Sequence, residues 1–186
     1  SGPLTTPSGS QVGAMTYNPA TGRFLVTATG GELFDTTLTG SATSIGLAPR
    51  PKGIAFVGDA LYAASLADGT LYRVNPNTGA YISDVVVNLA GVSIRGLSGL
   101  ATHPETGVLW IIINRPGDTQ YLATVDPVTG VATSVGVLPD GFAGIAFVPE
   151  PSSRLSLGAG ALAIAYCATR RRRRCGPPES AARPCS

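Results

Sequence analysis

Apolar residues recur over the first 150 positions in short runs of about five, separated by clusters of Gly, Pro, Asn, Asp and Thr, and no stretch repeats at helical spacing. Runs rich in β-branched residues and bounded by turn formers predict strands. One run occurs four times, as Gly13-Ala14-Met15-Thr16-Tyr17, Gly53-Ile54-Ala55-Phe56-Val57, Gly99-Leu100-Ala101-Thr102-His103 and Gly144-Ile145-Ala146-Phe147-Val148, with starts 40, 46 and 45 residues apart. After each of the first three comes a second strand, at Arg23 to Thr27, Ala60 to Ala64 and Val108 to Ile112. A third follows at Gly31 to Phe34, Gly69 to Val74 and Tyr121 to Val125, and a fourth around Ala42 to Leu47, Ala80 to Val87 and Val131 to Leu138.

Four of the intervening turns share an Asn/Asp/His-Pro-x-Thr-Gly form, beginning at Asn18, Asn75, His103 and Asp126. Pro presets φ, the short polar side chain before it hydrogen-bonds the turn backbone, and Gly takes the positive φ with which the chain re-enters the ladder. Four short antiparallel strands per 40 to 46 residues describe a propeller blade. The expected fold is therefore all-β, with β-propeller-like repeats: blades at about 13–50, 51–95 and 96–139, and the inner strand of a closing blade at 143–148. Three and a quarter blades fall short of the roughly four to eight that close a ring. Ser1 to Leu4 aligns with Ser134 to Leu138, so residues 1–12 are expected to be the end of an upstream blade and a linker, and the chain a fragment of a larger ring.

Charge divides the chain unevenly. Residues 1–150 carry six Lys and Arg against ten Asp and Glu, a formal −4, whereas the last 36 residues carry seven Arg and one Glu. An acidic body argues against nucleic acid as a partner. All three cysteines, Cys167, Cys175 and Cys185, follow the body, so no disulfide framework supports it. The chain as given opens without an initiator Met, a basic n-region or an apolar h-region.

From Val148 the composition changes to Val-Pro-Glu-Pro-Ser-Ser, then an apolar run from Leu155 to Thr169, then five arginines, Arg170, Arg171, Arg172, Arg173 and Arg174. This order resembles the PEP-CTERM sorting signal of Gram-negative bacteria, here spanning 149–174. The resemblance implies that Pro149, Glu150 and Pro151 are recognised by an exosortase-type processing enzyme, and that the protein is destined for the cell surface or an exopolysaccharide matrix. The chain departs from that pattern in continuing for 12 residues past the basic cluster; 175–186 are expected to be a disordered tail. The physics of the segment agrees with a membrane role. Its 15 uncharged residues reach roughly 22 Å as a helix, short of the roughly 30 Å hydrocarbon core. Counting from Ser152, with Arg154 and the terminal cluster snorkelling, gives a transmembrane helix at about 152–169. The arginines place the C-terminus in the cytoplasm and the body outside it.

Candidate chemistry in the body is sparse. His103 stands where Asn18, Asn75 and Asp126 stand in the other turns and reads as a turn residue; no Gly-x-Ser-x-Gly elbow accompanies it. Asp35, Asp59, Asp68, Asp84, Asp118, Asp126 and Asp140 are scattered over strand ends and loops without the alternation of a calcium loop. Glu32, Asp59 and Asp118 are the carboxylates on which a cation site in a completed ring's channel would draw. Trp110 and the tyrosines Tyr62, Tyr72 and Tyr121 read as sheet-packing residues. Gly158 to Gly160 lies in the apolar tail, not after a strand, so it forms no phosphate cradle. No catalytic, cofactor-binding or metal-ligating set is expected. The expected function is that of a non-enzymatic, exported binding or scaffold propeller, passing through the inner membrane to the surface and associated with extracellular polysaccharide. The alternatives are an exported hydrolase completed by further blades, and a permanently anchored interaction module.

Overall fold

The computed structural model describes residues 11–28, 30–37, 42–47, 51–117, 119–139 and 141–147. The chain divides into Ser1–Phe147 and Val148–Ser186, and the whole second unit lies outside the described residues, with the Pro-Glu-Pro sequence, apolar segment and arginine cluster that it contains.

Each predicted set of four runs folds into one antiparallel sheet. The first is β1 (Val12–Asn18), β2 (Arg23–Ala28), β3 (Glu32–Thr36) and β4 (Ala42–Leu47), in that spatial order. The second is β5 (Pro51–Val57), β6 (Ala60–Ser65), β7 (Thr70–Val74) and β8 (Tyr81–Val86). The third is preceded by a two-residue strand, β9 (Asn88–Leu89), and contains β10 (Gly96–Thr102), β11 (Leu109–Asn114), β12 (Gln120–Val125) and β13 (Val131–Leu138). β9 pairs in parallel with β13 and makes this sheet five-stranded, which the hydrophobic pattern did not reveal.

The sheets stack as blades of a β-propeller. Inner strand β5 packs against both β1 and β10, and two cores fill the spaces between blades. Leu25, Leu33, Ile54, Leu61, Ala63 and Val74 fill the first. Ala55, Tyr62, Ala64, Leu71, Leu97, Leu109, Ile111 and Ile113 belong to the second. Successive residues of β6 thus point to opposite neighbours, as a period of two requires, and Leu61 to Ser65 are all buried. The outermost strand β8 is mostly exposed. Each blade carries the same two register shifts, one between its first two strands and one between its last two. Such bulges raise the local twist that a blade needs.

Close approach of neighbouring inner strands depends on glycine at the start of the repeat. A Cβ on Gly53 would lie 2.7 Å from the Leu100 amide nitrogen, and one on Gly99 would lie 3.0 Å from Gly144 Cα. Segment 141–147 therefore stands beside β10 as β10 stands beside β5, where the inner strand of the next blade belongs. It carries no strand of its own; Val148, the end of the run expected to form one, lies outside the described residues. An inner strand needs a second strand of its own blade to form a ladder, and none pairs with it among the described residues. The segment is held instead by blade three: Gly99 N–H donates to Ala143 O at 3.2 Å, and Phe147 meets Trp110 and His103 edge-on at 5.8 and 4.9 Å between centroids.

The four Pro-containing turns form as their composition predicts. In each, the glycine amide donates to the carbonyl of the first residue at 2.8 to 2.9 Å, with glycine φ of +68° to +75°. The side chains of Asn18, Asn75 and Asp126 accept from the amide two residues on, at 2.8 to 3.0 Å. His103 Nδ1 does the same for Glu105 and Thr106, both at 3.3 Å. His103 is thus a turn residue. All four turns lie at one end of the stack, because each joins a first to a second or a third to a fourth strand.

Candidate ligand-binding cavity

The opposite end is built differently. There the β6–β7 loop, the residue before β10 and the β11–β12 loop surround a cavity of about 530 Å³ between blades two and three. Leu66, Ala67, Arg95, Asn114, Arg115, Thr119 and Gln120 line it. Its volume falls within the roughly 300–1,000 Å³ of small-molecule sites.

Glycine again sets the approach. A Cβ on Gly96 would fall 1.8 Å from Leu66 O, so only glycine lets the β6–β7 loop close over the start of β10. Beneath the cavity, amides at the end of β11 and the start of β12 form a connected network. Asn114 Nδ2 donates to Gly96 O at 3.3 Å and to Ser98 Oγ at 3.2 Å. Gln120 Nε2 donates to Asn114 Oδ1 at 2.6 Å and to Phe142 O at 2.8 Å, while Gln120 Oε1 accepts from Phe142 N–H at 2.8 Å. Gln120 and Ser98 are each 6% exposed. A buried polar network with its donors and acceptors matched is rigid, so the floor of the cavity is pre-organised.

Two cations line the same cavity. Arg95 has its backbone fixed, its N–H donating to Asn114 O at 2.8 Å, and an exposed side chain. Arg115 lies over the Tyr121 ring at 5.9 Å and donates from Nη1 to the Tyr121 hydroxyl at 3.3 Å; its Nε is shielded from solvent and has no acceptor among the described residues. Neither guanidinium has a carboxylate at ion-pair distance among the described residues, in contrast to Arg23, paired with Asp35 at 2.8 Å. Asp68, on the β6–β7 loop, is engaged elsewhere: it accepts from the Tyr72 hydroxyl at 2.7 Å and from Thr70 N–H at 3.1 Å. Partial burial opposes its ionisation, but the bonds from Tyr72, Ser65 and Thr70 prevail and hold its carboxyl below the ordinary value. The bond to Asp68 raises the Tyr72 phenol in turn.

The residues singled out from the sequence scatter. Asp35 pairs with Arg23, Asp84 accepts from Tyr81, Asp126 sits in its turn, and Asp59 lies beside the Pro turns with Phe56 and Pro76. Among the described residues no three His, Cys, Asp or Glu groups assemble as a metal set. Tyr62 is buried in the core, and Trp110 is half-buried against Phe147. Pro149, Glu150, Pro151, Arg170 to Arg174, Asp118 and Asp140 lie outside the described residues, as does the expected helix. Among the described residues no helix is long and apolar enough to cross a membrane.

Sequence reasoning missed the cavity. Its trace was present in Asn114 and Gln120, two amides that end β11 and begin β12 on either side of an Arg-Pro-Gly turn. That pattern breaks the one followed by the four Pro-x-Thr-Gly turns.

No family model matches the chain, and no curated protein matches it. Solved structures do resemble it. U3-55K is 13% identical with a TM-score of 0.51, the match covering 77% of this chain and 44% of that one. The WD40 repeats of RRP9 are 11% identical, TM-score 0.51, with 77% and 43% covered. The glutaminyl cyclase of Myxococcus xanthus is 20% identical, TM-score 0.53, with 69% and 60% covered. The chain thus spans between 43% and 60% of the length of these structures. At such identities the likeness is one of fold, and a fold shared by a repeat protein and an enzyme assigns no chemistry.

Proposed function

We propose that this chain is a β-propeller binding module, exported and sorted to the cell surface through its C-terminal tail, with the cavity between blades two and three as its binding site. The cavity carries the binding part of this reading: a concave site on a pre-organised polar floor, with convergent polar groups and an apolar side, has the anatomy of a small-ligand site. The delivery part is supported by the sequence from Pro149 to Arg174. Pro149, Glu150 and Pro151 would be read by an exosortase-type enzyme, while the apolar segment sits in the inner membrane and Arg170 to Arg174 stay cytoplasmic. After processing, the body would reach the surface or an extracellular polysaccharide matrix. In this scheme the tail is a substrate, and the propeller acts by binding.

The test is surface display in the native host after Pro149, Glu150 and Pro151 are all changed to Ala, combined with the C-terminal mass of the mature protein. Sorting predicts that display is lost while membrane insertion persists, and that the mature wild-type protein ends near Pro149 to Ser153. A mature protein retaining Arg170 to Arg174, with display unaffected by the substitutions, would mean a permanent anchor and overturn sorting.

A further inference from the structure

We infer that the cavity takes the oxyanion of a small amphiphilic molecule, a carboxylate or a phosphate ester, with Arg95 and Arg115 as its counter-ions; this rests on reading the cavity as a binding site. Four observations converge. Two guanidinium groups line one cavity of about 530 Å³ without a carboxylate partner among the described residues. They do so on a body whose first 150 residues are formally −4, so the pair is no part of a generally basic surface. The amides beneath are committed to each other and to backbone, which leaves the arginines and Thr119 as the polar groups free to meet a ligand. Leu66 and Ala67 supply an apolar wall beside them, and the carboxylate of that loop, Asp68, is held by Tyr72 and Thr70.

The chemistry follows from the guanidinium. Its planar fork of donors matches two oxygens of one anion, and charge-assisted bonds of this kind are about twice as strong as neutral ones. Arg115 has a shielded Nε–H without an acceptor, so an anion that draws the side chain off the Tyr121 hydroxyl gives that donor a partner. Two cations on a fixed floor with an apolar wall to one side select a molecule with a charged head and a short apolar body. A wholly apolar ligand would leave the guanidinium groups unpaired beneath it.

Titration calorimetry of the purified full-length chain tests this with hexanoate, hexyl phosphate, inorganic phosphate and 1-hexanol, at low and at physiological salt. The expected result is binding of hexanoate or hexyl phosphate at least tenfold tighter than of 1-hexanol, weakening as salt rises. Arg95→Gln and Arg115→Gln should each reduce affinity roughly ten- to a hundredfold. Arg115→Lys should fall between wild type and Arg115→Gln, with the thermal midpoint of every variant showing that the fold is intact. Preference between the two hexyl probes identifies the head group, and inorganic phosphate binding as tightly as hexyl phosphate would remove the apolar wall from the proposal. Asp118→Asn, in the same loop by sequence, should leave anion affinity unchanged or raise it, and a fall would count against the anion. Binding of 1-hexanol as tight as that of hexanoate, unaffected by either glutamine variant, would overturn the oxyanion and leave the cavity a binding site. No heat with any probe, together with unchanged amide resonances of Arg95, Asn114 and Gln120, would overturn the cavity reading itself.

Discussion

Gly53→Ala tests whether the blades stack because glycine lets their inner strands meet. The added Cβ would stand 2.7 Å from the Leu100 amide nitrogen and 3.0 Å from the carbonyl carbon of Gly99. Both are backbone atoms of β10, held by its ladder with β11, so no side chain can swing aside to make room. Overpacking a core costs about 1–3 kcal/mol, and contacts with fixed backbone belong in the upper part of that range. Alanine recovers about 0.4–1 kcal/mol by restricting the unfolded chain. The net loss is about 2 kcal/mol, or roughly 4–8 °C in thermal midpoint for a domain of this size. Two controls separate approach from flexibility. Gly13→Ala, at the equivalent place in β1, meets first the Thr27 hydroxyl at 3.2 Å, which accepts from Ala14 N–H at 3.0 Å, and meets backbone only at 3.5 Å, so it should lose less than Gly53→Ala. Gly58→Ala has open space around it but a φ of +57°, so its loss of about 1 kcal/mol is purely conformational. The assay is thermal unfolding followed by circular dichroism. If Gly53→Ala melts no earlier than Gly58→Ala, close approach is not what glycine supplies, and the account of blade stacking fails.

Two further outcomes follow from the polar network and the turns. Gln120→Leu leaves Phe142 N–H and Asn114 Oδ1 without their partner and Phe142 O with only the 3.5 Å contact from Ser98 Oγ; it should cost about 1–3 kcal/mol in urea unfolding and remove hydrogen-exchange protection at Phe142, whereas equal protection in both proteins would show that segment 141–147 is held by other means. Bonds from Val128 N–H, the Thr129 hydroxyl and Thr129 N–H hold the Asp126 carboxyl below its ordinary 3.8. A depressed folded-state value means that this contribution is complete above the unfolded value and is lost as pH falls through the folded one. Asp126→Asn should therefore flatten the acid limb of the stability profile below about pH 4 and leave neutral pH nearly unchanged, because asparagine fills the same turn position at Asn18 and Asn75. An acid limb identical in both proteins would rule out Asp126 as a source of that pH dependence.

The blades were legible because their information is local. A strand with β-branched residues at alternate positions, ended by a Pro-x-Thr-Gly turn, declares its own conformation, and the fourth strand of blade one matches its predicted bounds of Ala42 to Leu47. The short β9 escaped because its parallel pairing with β13 joins residues more than 40 positions apart and leaves no alternation in a two-residue strand. Segment 143–147 reads as a strand by composition, since Gly144 repeats the signature of Gly53 and Gly99. Forming a ladder depends on a partner strand, which a residue's own neighbours do not encode. The cavity was illegible for the same reason. Arg95 and Arg115 are 20 positions apart, on either side of β10 and β11, and only the hairpin brings them to one opening.

The two ends of the stack obey different chemical rules, and this contrast bears on function. At one end Asn18, Asn75, His103 and Asp126 spend their side-chain acceptors on their own turn amides, leaving them little to offer a ligand. At the other end the backbone is secured by Asn114 and Gln120, so the Arg95 side chain need not stabilise its own loop and Arg115 commits only its contact with Tyr121. Polar groups released from structural duty on a rigid support are those that recognition can use at low entropic cost. Disrupting the floor and removing the cations should thus differ in kind. Gln120→Leu should lower stability and affinity together, whereas Arg95→Gln should lower affinity at unchanged stability, because its exposed side chain has no partner among the described residues to lose.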